Sequence, residues 1–312
     1  MNRHVLRLSD LDAFEVTAVL DLAESSDLEP VLAGAGAALV FEHPSARTRN
    51  AAEMAVVQLG GHPVTIRGEE VGFDRRESVE DVARTLACFH SLIAARVASH
   101  RTLERMAAAL DAAGSAVLVV NLLSDYEHPT QALADLLTIR QCFGALAGRR
   151  LAYIGDANNV CRSLLDACAL TGVNVRVASP EGYELGEEDL ARARELGGTV
   201  ERVARPEEAA EGADVLYTDV WVSMGEEAEA EERRRAFRGF MIDEALLARA
   251  GPDAVVLHCL PAHRGEEIAD GVLEGPASRV WQQAENRMHA MRGLFALLFR
   301  GGAATVMPGA SR

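Results

Sequence analysis

The 312-residue chain contains no run of about 18 uncharged apolar residues, and its opening stretch MNRHVLRLSDLDAF has no apolar segment of the export-signal type. Secretion and membrane insertion are therefore not expected, and the cytoplasm is the expected location. Its five cysteines are odd in number and form no Cys-x-x-Cys pair, which fits free thiols in a reducing compartment better than a disulfide framework. Positive charge is also scarce, with 31 Lys and Arg against 47 Asp and Glu and a formal net charge of −16. Nucleic acid is not an expected partner, because tracking a phosphate backbone needs an extended basic face. Internal repeats are absent, and low complexity is confined to GEEAEAEERRR (225–235), which reads as a solvated helix face.

Against these absences stands a 49% hydrophobic content spread along the whole length, enough for two domains of ordinary size. Ser9, with Asp12 three residues on, reads as a helix N-cap, and Leu11, Phe14, Ala18 and Leu22 give the first helix an apolar side. Short apolar runs then recur at 37–41, 63–66, 91–97 and 116–120, each followed by helical spacing. A second series lies at 150–155, 174–179, 215–219 and 254–259. HPTQALADLLTIRQCFG joins the two series as a helix with proline at its start and glycine after it. The expected fold is α/β, with two doubly wound parallel-sheet domains joined by helices and a long apolar C-terminal helix.

In such sheets ligands bind beyond the carboxyl ends of the strands. FEHPSARTRN lies there, after the first run, and residues 45–59 read as a helix with Ser45 near the N-cap. Ala52, Ala55, Val56 and Leu59 form its inner face and Gly60-Gly61 its stop. A helix N-terminus attracts anions, Ser45 and Thr48 offer hydroxyls, and the Arg47 guanidinium can grip two oxygens, so the set suits a phosphate. An ordinary capped helix with exposed arginines fits the same residues. Arg96, SDYEHPTQ, GDANN, DVWVSMG and HCLPAHRG follow their strands in the same way.

Taken together, PSARTR, HPTQ, DVWVSMG and HCLP resemble the aspartate/ornithine carbamoyltransferase family, and the resemblance runs from the first helix to AENRMH. DVWVSMG and HCLP are similar to the members that use ornithine rather than aspartate as acceptor. The resemblance implies that Ser45, Ala46 through its backbone N–H, Arg47 and Thr48 hold the phosphate of carbamoyl phosphate. It places Arg96, His128, Gln131, Cys259, Leu260 and Arg287 about the carbamoyl group, with Arg96, His128, Cys259 and Arg287 as catalytic groups. It places Asn159, Asp219, Ser223 and Met224 about L-ornithine. The implied reaction is attack of the neutral δ-amine on carbamoyl phosphate to give L-citrulline and phosphate, in arginine metabolism. Taken singly, His128 reads equally as a turn residue, Asp219 as a capping aspartate, Met224 as packing and Arg287 as surface charge.

The implied domains are 1–132 for carbamoyl phosphate, completed by a C-terminal helix at 284–312, and 133–283 for ornithine. A homotrimer or larger assembly of trimers is implied, and no cofactor. His258, Cys259 and His263 look like metal ligands but lack a fourth ligand at suitable spacing, so no metal is expected. Cys88, Cys142, Cys161 and Cys168 read as core residues. The sequence departs from the family pattern at Ala46, where a threonine is common, at His43, where a lysine is frequent, and in the 69–78 loop. Three rival readings remain: another amine acceptor such as putrescine or N-acetylornithine, a non-catalytic homologue, and a nicotinamide-dependent oxidoreductase. The last is weakened because YIGDANN lacks the Gly-x-Gly-x-x-Gly spacing.

Overall fold

A computed structural model of the chain describes residues 3–223 and 227–300. The backbone divides into two compact units, one running to Ala134 and resuming at Arg287, the other Asp135–Asn286. In chain order the first unit contains α1 (Ala13–Glu24), β1 (Gly36–Phe41), α2 (Ala46–Gln58), β2 (His62–Arg67), α3 (Gly68–Val71), α4 (Val79–Ala87), β3 (Leu92–Arg96), α5 (His100–Ala112) and β4 (Leu118–Leu123). The helix α6 (Pro129–Phe143) carries the chain through the first boundary.

The second unit contains β5 (Arg150–Ile154), α7 (Asn159–Thr171), β6 (Asn174–Ala178), α8 (Glu187–Glu195), β7 (Val200–Val203), α9 (Pro206–Ala210), β8 (Val215–Thr218), α10 (Ala230–Ala236), α11 (Glu244–Leu247), β9 (Val255–His258) and α12 (Asp270–Leu273). The helix α13 (Val280–Phe299) runs through the return boundary at Asn286/Arg287. It starts before the expected 284, and residues 301–312 of the expected C-terminal helix lie outside the described residues. Among the described residues no helix is long and apolar enough to cross a membrane.

Each unit holds one all-parallel sheet, in the order β2-β1-β3-β4 in the first and β7-β6-β5-β8-β9 in the second. Both orders reverse direction once, between β1 and β3 and between β5 and β8. In open parallel sheets a ligand binds beyond the carboxyl ends of the strands at such a reversal.

Alternation explains why these segments are strands. In the second unit Leu151, Tyr153, Val215 and Tyr217 enter one buried cluster, while Ala152, Ile154 and Leu216 enter another, so successive side chains feed opposite faces of the sheet. Helices on both faces bury both clusters, which is why the strands read as near-continuous apolar runs. In the first unit Ala38, Val40, Ile93 and Ala95 pack with Val82, Leu103 and Leu110 of α4 and α5.

The sequence reading requires four corrections. Asp12, not Ser9, caps α1: its side chain accepts from Glu15 N while Glu15 reaches back to Asp12 N. The buried face of α1 is Val16, Val19, Leu20, Leu22 and Ala23, and Phe14 is 87% exposed. The short strand β7 departs from the expected series, because its residues Val200–Val203 place adjacent Glu and Arg between two valines, carry no alternation and sit at a sheet edge. Cys88 is exposed and Cys142 half-buried, so only Cys161 and Cys168 are buried cysteines of the core.

Candidate active site

Two polar clusters occupy the two switch points, each within its own unit. In the first, Ser45 takes an extended N-cap conformation before α2, yet its hydroxyl caps nothing in the helix. It accepts instead from Arg96 Nη1 at 3.1 Å, and Arg96 ends β3, the strand beside β1. The hydroxyl is thus held at the first switch point by the end of the neighbouring strand. The backbone N–H groups that open α2, starting with Ala46, have no acceptor inside the helix and carry its positive dipole end. Arg47 is exposed beside them, and Arg49 lies 3.7 Å from Glu53 one turn along.

Arg287 ties the inner side of this cluster together. It reads as surface charge in the sequence but is only 4% exposed. Its Nη2 donates to Thr48 Oγ1 at 2.9 Å and its Nη1 to Gln131 Oε1 at 2.6 Å, so one guanidinium joins α2, α6 and α13 within this unit. His128 is buried just before α6, with Nδ1 at 3.4 Å from Thr130 Oγ1. Burial holds the His128 pKa well below the usual histidine value, and the charges of Arg287 and Arg96 push it further the same way. The imidazole is therefore neutral near pH 7. Burial first, and then the Arg47 charge, also lowers the pKa of Arg96. Arginine charges that disfavour protonation of the groups beside them mark a site of positive potential, suited to an anion.

The second cluster centres on Asp219, just beyond β8. Its Oδ1 accepts from the Cys259 thiol and from Val220 N, both at 2.8 Å, and its Oδ2 accepts from Asn158 Nδ2 at 2.8 Å. Asn158 also caps α7, its Oδ1 accepting from Val160 N at 2.9 Å and Cys161 N at 3.3 Å. Asn159, expected as the substrate residue, is the first residue of α7 and half-buried. The turn that delivers both asparagines starts at Gly155, whose φ of 138° favours glycine and whose added Cβ would lie 3.3 Å from the Thr218 hydroxyl. Ser223 is half-buried and ends the described stretch; Met224 lies outside the described residues.

Cys259 and Leu260 follow β9. The thiol is half-buried against Asp219, and Leu260 sits at φ 60°, a left-handed conformation for a branched residue. His258 anchors them: its N–H donates to Gln283 Oε1 at 2.8 Å, and Gln283 Nε2 donates to the buried Asp135 at 2.7 Å. Both His258 ring nitrogens are engaged, with Leu260 N and with Glu267.

Asp219, His258 and Cys259 form one grouping of ligand-type atoms, but the engaged imidazole leaves too few donors for a tetrahedral metal site. His263 does not join His258 and Cys259 and groups instead with Glu266 and Glu267.

Sequence reasoning missed Asn158, Asp156, His258 and Glu267 as shaping residues. Asn158 carried a readable signal, an asparagine just before a periodic apolar helix. Glu267 carried none, because its partner His258 is nine residues away and meets it only through the fold.

This pairing of a cationic helix-terminus cluster with a carboxylate–thiol cluster, each at the switch point of a parallel sheet, agrees with the matches to known proteins. Residues 3–141 match the carbamoyl-P binding domain, and residues 147–298 the Asp/Orn binding domain, of aspartate/ornithine carbamoyltransferases, and the chain belongs to that family. Among its relatives is the ornithine carbamoyltransferase of Acidothermus cellulolyticus, 49% identical over 96% of this chain and 97% of that protein. The solved structure of ornithine carbamoyltransferase from Pyrococcus furiosus is similar at a TM-score of 0.90 and 42% identity, covering 96% of this chain and 98% of that one. That of the Thermus thermophilus enzyme is similar at 0.86 and 44%, covering 96% and 100%.

Proposed function

We propose that the chain transfers the carbamoyl group of carbamoyl phosphate to the δ-amine of L-ornithine, giving L-citrulline and phosphate. The observation that carries this reading is the Asp219 carboxylate held by Asn158 and Cys259. A fixed anion at the amino-acid cluster receives a cationic amino acid and repels a dicarboxylate such as aspartate.

In this reading residues 1–132, with the C-terminal helix segment, bind carbamoyl phosphate, and residues 133–283 bind ornithine. Ser45, Thr48, Arg47 and the Ala46 N–H hold the phosphate oxygens. Arg96, His128, Gln131 and Arg287 surround the carbamoyl group, where donors strengthen as negative charge grows on the carbonyl oxygen. A neutral His128 still donates one N–H and adds no further charge. Asp219 and Asn159 take the α-amino-acid end, with Ser223 and Met224 beside them, while Cys259 and the Leu260 carbonyl orient the amine. The neutral δ-amine attacks the carbonyl carbon, the bond to the phosphate oxygen breaks, and the amine proton passes to the departing phosphate. Most of the acceleration comes from orientation and charge stabilisation, and no cofactor is required.

The five free cysteines fit a cytoplasmic location. A homotrimer is the assembly proposed; Phe14, Met54, Val57 and Phe89 of the first unit are large exposed apolar residues of the kind that subunit contacts cover.

The test is citrulline and phosphate release with carbamoyl phosphate and, in turn, L-ornithine, N-acetyl-L-ornithine, putrescine and L-aspartate. Turnover with ornithine in at least tenfold excess over the others is expected, and preference for any other amine overturns the acceptor assignment. Sedimentation gives the assembly state.

A further inference from the structure

We propose that Arg233 is a positioning residue for the amino-acid substrate: its ion pair with Asp156 holds the turn that carries Asn158 and Asn159 in register with Asp219. The proposal rests on the ornithine reading above and deepens it.

Arg233 belongs to the charged run expected to be a solvated helix face. Its neighbours Glu231, Glu232, Arg234 and Arg235 are indeed exposed, but Arg233 is 5% exposed and, with Phe237 one turn on, faces inward. Its Nη1 and Nη2 donate to Asp156 Oδ2 at 3.1 and 3.3 Å, and its guanidinium carbon lies 4.9 Å over the Tyr183 ring. Asp156 is itself 7% exposed. Removing two charges from water costs about as much as the pair returns, and apolar residues of similar volume stabilise such a place equally well. Stability alone therefore does not account for a charged pair here; what the pair touches does.

Asp156 sits in the turn after β5. Its backbone oxygen accepts from Tyr153 Oη at 2.9 Å and from Asn158 N at 2.8 Å, and Ala157 N donates to Tyr183 O at 3.1 Å. Asn158 then reaches Asp219 Oδ2. A second route leaves Arg233 through its stack on Tyr183. Tyr183 packs on Phe237 at 4.9 Å and Phe237 on Trp221 at 5.8 Å, and Trp221 stands two residues after Asp219. The two routes close a ring through Asp219, Asn158, Asp156, Arg233, Tyr183, Phe237 and Trp221. That ring sets the spacing between the turn bearing Asn159 and the segment bearing Ser223, the two walls that receive the α-amino-acid end. Arginine suits the post because a planar fork binds a carboxylate edge-on while stacking on an aromatic face, which an ammonium does not do.

The experiment compares the full-length parent with Arg233→Met, Arg233→Lys, Asp156→Asn and the Arg233→Met/Asp156→Asn double variant. It measures Tm, calorimetric Kd for carbamoyl phosphate, KM for L-ornithine, and Ki for L-norvaline, which keeps the α-amino-acid end and lacks the δ-amine. Citrulline formation by the parent tests the ornithine reading separately; without it, that reading fails before any variant is compared. Given parent activity, ornithine KM and norvaline Ki should rise together by about tenfold or more in Arg233→Met and Asp156→Asn, a loss the size of one charge-assisted contact to the substrate, with carbamoyl phosphate Kd within about twofold. Arg233→Lys and the double variant should both raise ornithine KM and norvaline Ki by more than about threefold, and the double variant should be no worse than the poorer single one, because it leaves no buried charge alone. A merely structural pair would lower Tm and the active fraction while leaving KM and Ki in place. Ornithine KM within about twofold of the parent in folded variants overturns the proposal, and if Arg233→Met does not fold, Arg233→Lys and the double variant decide it by the same measurements.

Discussion

The Nδ1 of His258 accepts the backbone N–H of Leu260 at 2.9 Å, and Leu260 sits at φ 60°. An acceptor at Nδ1 leaves the ring proton on Nε2, which points at Glu267 Oε1 at 3.1 Å; Glu267 in turn accepts from His263 N. A left-handed leucine costs roughly 1–2 kcal/mol, so the loop needs a local bond to hold it there. Asparagine places an acceptor where Nδ1 stands, whereas glutamine reaches toward Glu267 and abandons Leu260. His258→Asn should therefore lower kcat by less than about threefold and His258→Gln by about tenfold or more, at similar carbamoyl phosphate Kd. Equal losses in both would show that the Leu260 bond is not what His258 supplies.

Asp219 makes a separable prediction. Replacing it by asparagine removes the fixed anion but keeps an oxygen for Cys259 and Val220. Ornithine KM should rise by about tenfold to a hundredfold, the loss of a charge-assisted contact of roughly 1.5–3 kcal/mol. Cys259→Ala should act mainly on kcat, because the thiol orients the amine rather than supplying charge. Steady-state kinetics with ornithine varied at saturating carbamoyl phosphate separate the two variants.

Much of this site was legible in the sequence, and the unevenness has physical causes. Strands buried on both faces appear as apolar runs, so β1, β3, β5 and β9 were visible where β7, half solvated at its edge, was not. Ser45 was readable at the N-cap position because helix starts are local, but its hydroxyl bonds Arg96, 51 positions away, rather than the helix. Arg287 meets Thr48 across 239 positions, and no local pattern encodes such a contact. Arg233 shows the converse. Its surroundings are so uniformly charged that composition predicts solvent, and only the helical phase, with Phe237 four residues on, turns that one side chain inward.

Ala46 departs from the common pattern at the first residue of α2, where it is exposed. At this place the helix contributes its backbone N–H, which alanine and threonine supply alike. Ala46→Thr is accordingly expected to change carbamoyl phosphate Kd by less than about threefold in calorimetry. A tenfold tightening would show that the family hydroxyl is used and that this chain lacks one phosphate contact.

His128 supplies a prediction in pH. Its folded pKa lies well below the ordinary value, so the folded chain holds it neutral while the unfolded chain protonates it as pH falls through about 6.5. Below that point the unfolded state binds the extra proton. The stability associated with the neutral ring is complete above about pH 6.5 and declines on acidification toward the folded pKa, by at most about 1.4 kcal/mol per pH unit. His90 and His100 are displaced in the same direction, chiefly by burial, so the parent curve alone does not isolate one residue. The difference between the parent and His128→Asn does: the variant should lose less stability between pH 7.5 and 5.5 in denaturant titrations, and parallel curves would assign the acid sensitivity elsewhere. The same neutrality bears on turnover. If His128 carries no proton change near pH 7, the rise of kcat/KM for ornithine from pH 6.5 to 8 should follow deprotonation of the substrate amine, a lysine-type group with pKa of about 10.4, with a log-log slope near one. His128→Asn should then lower the whole profile without moving its acid limb.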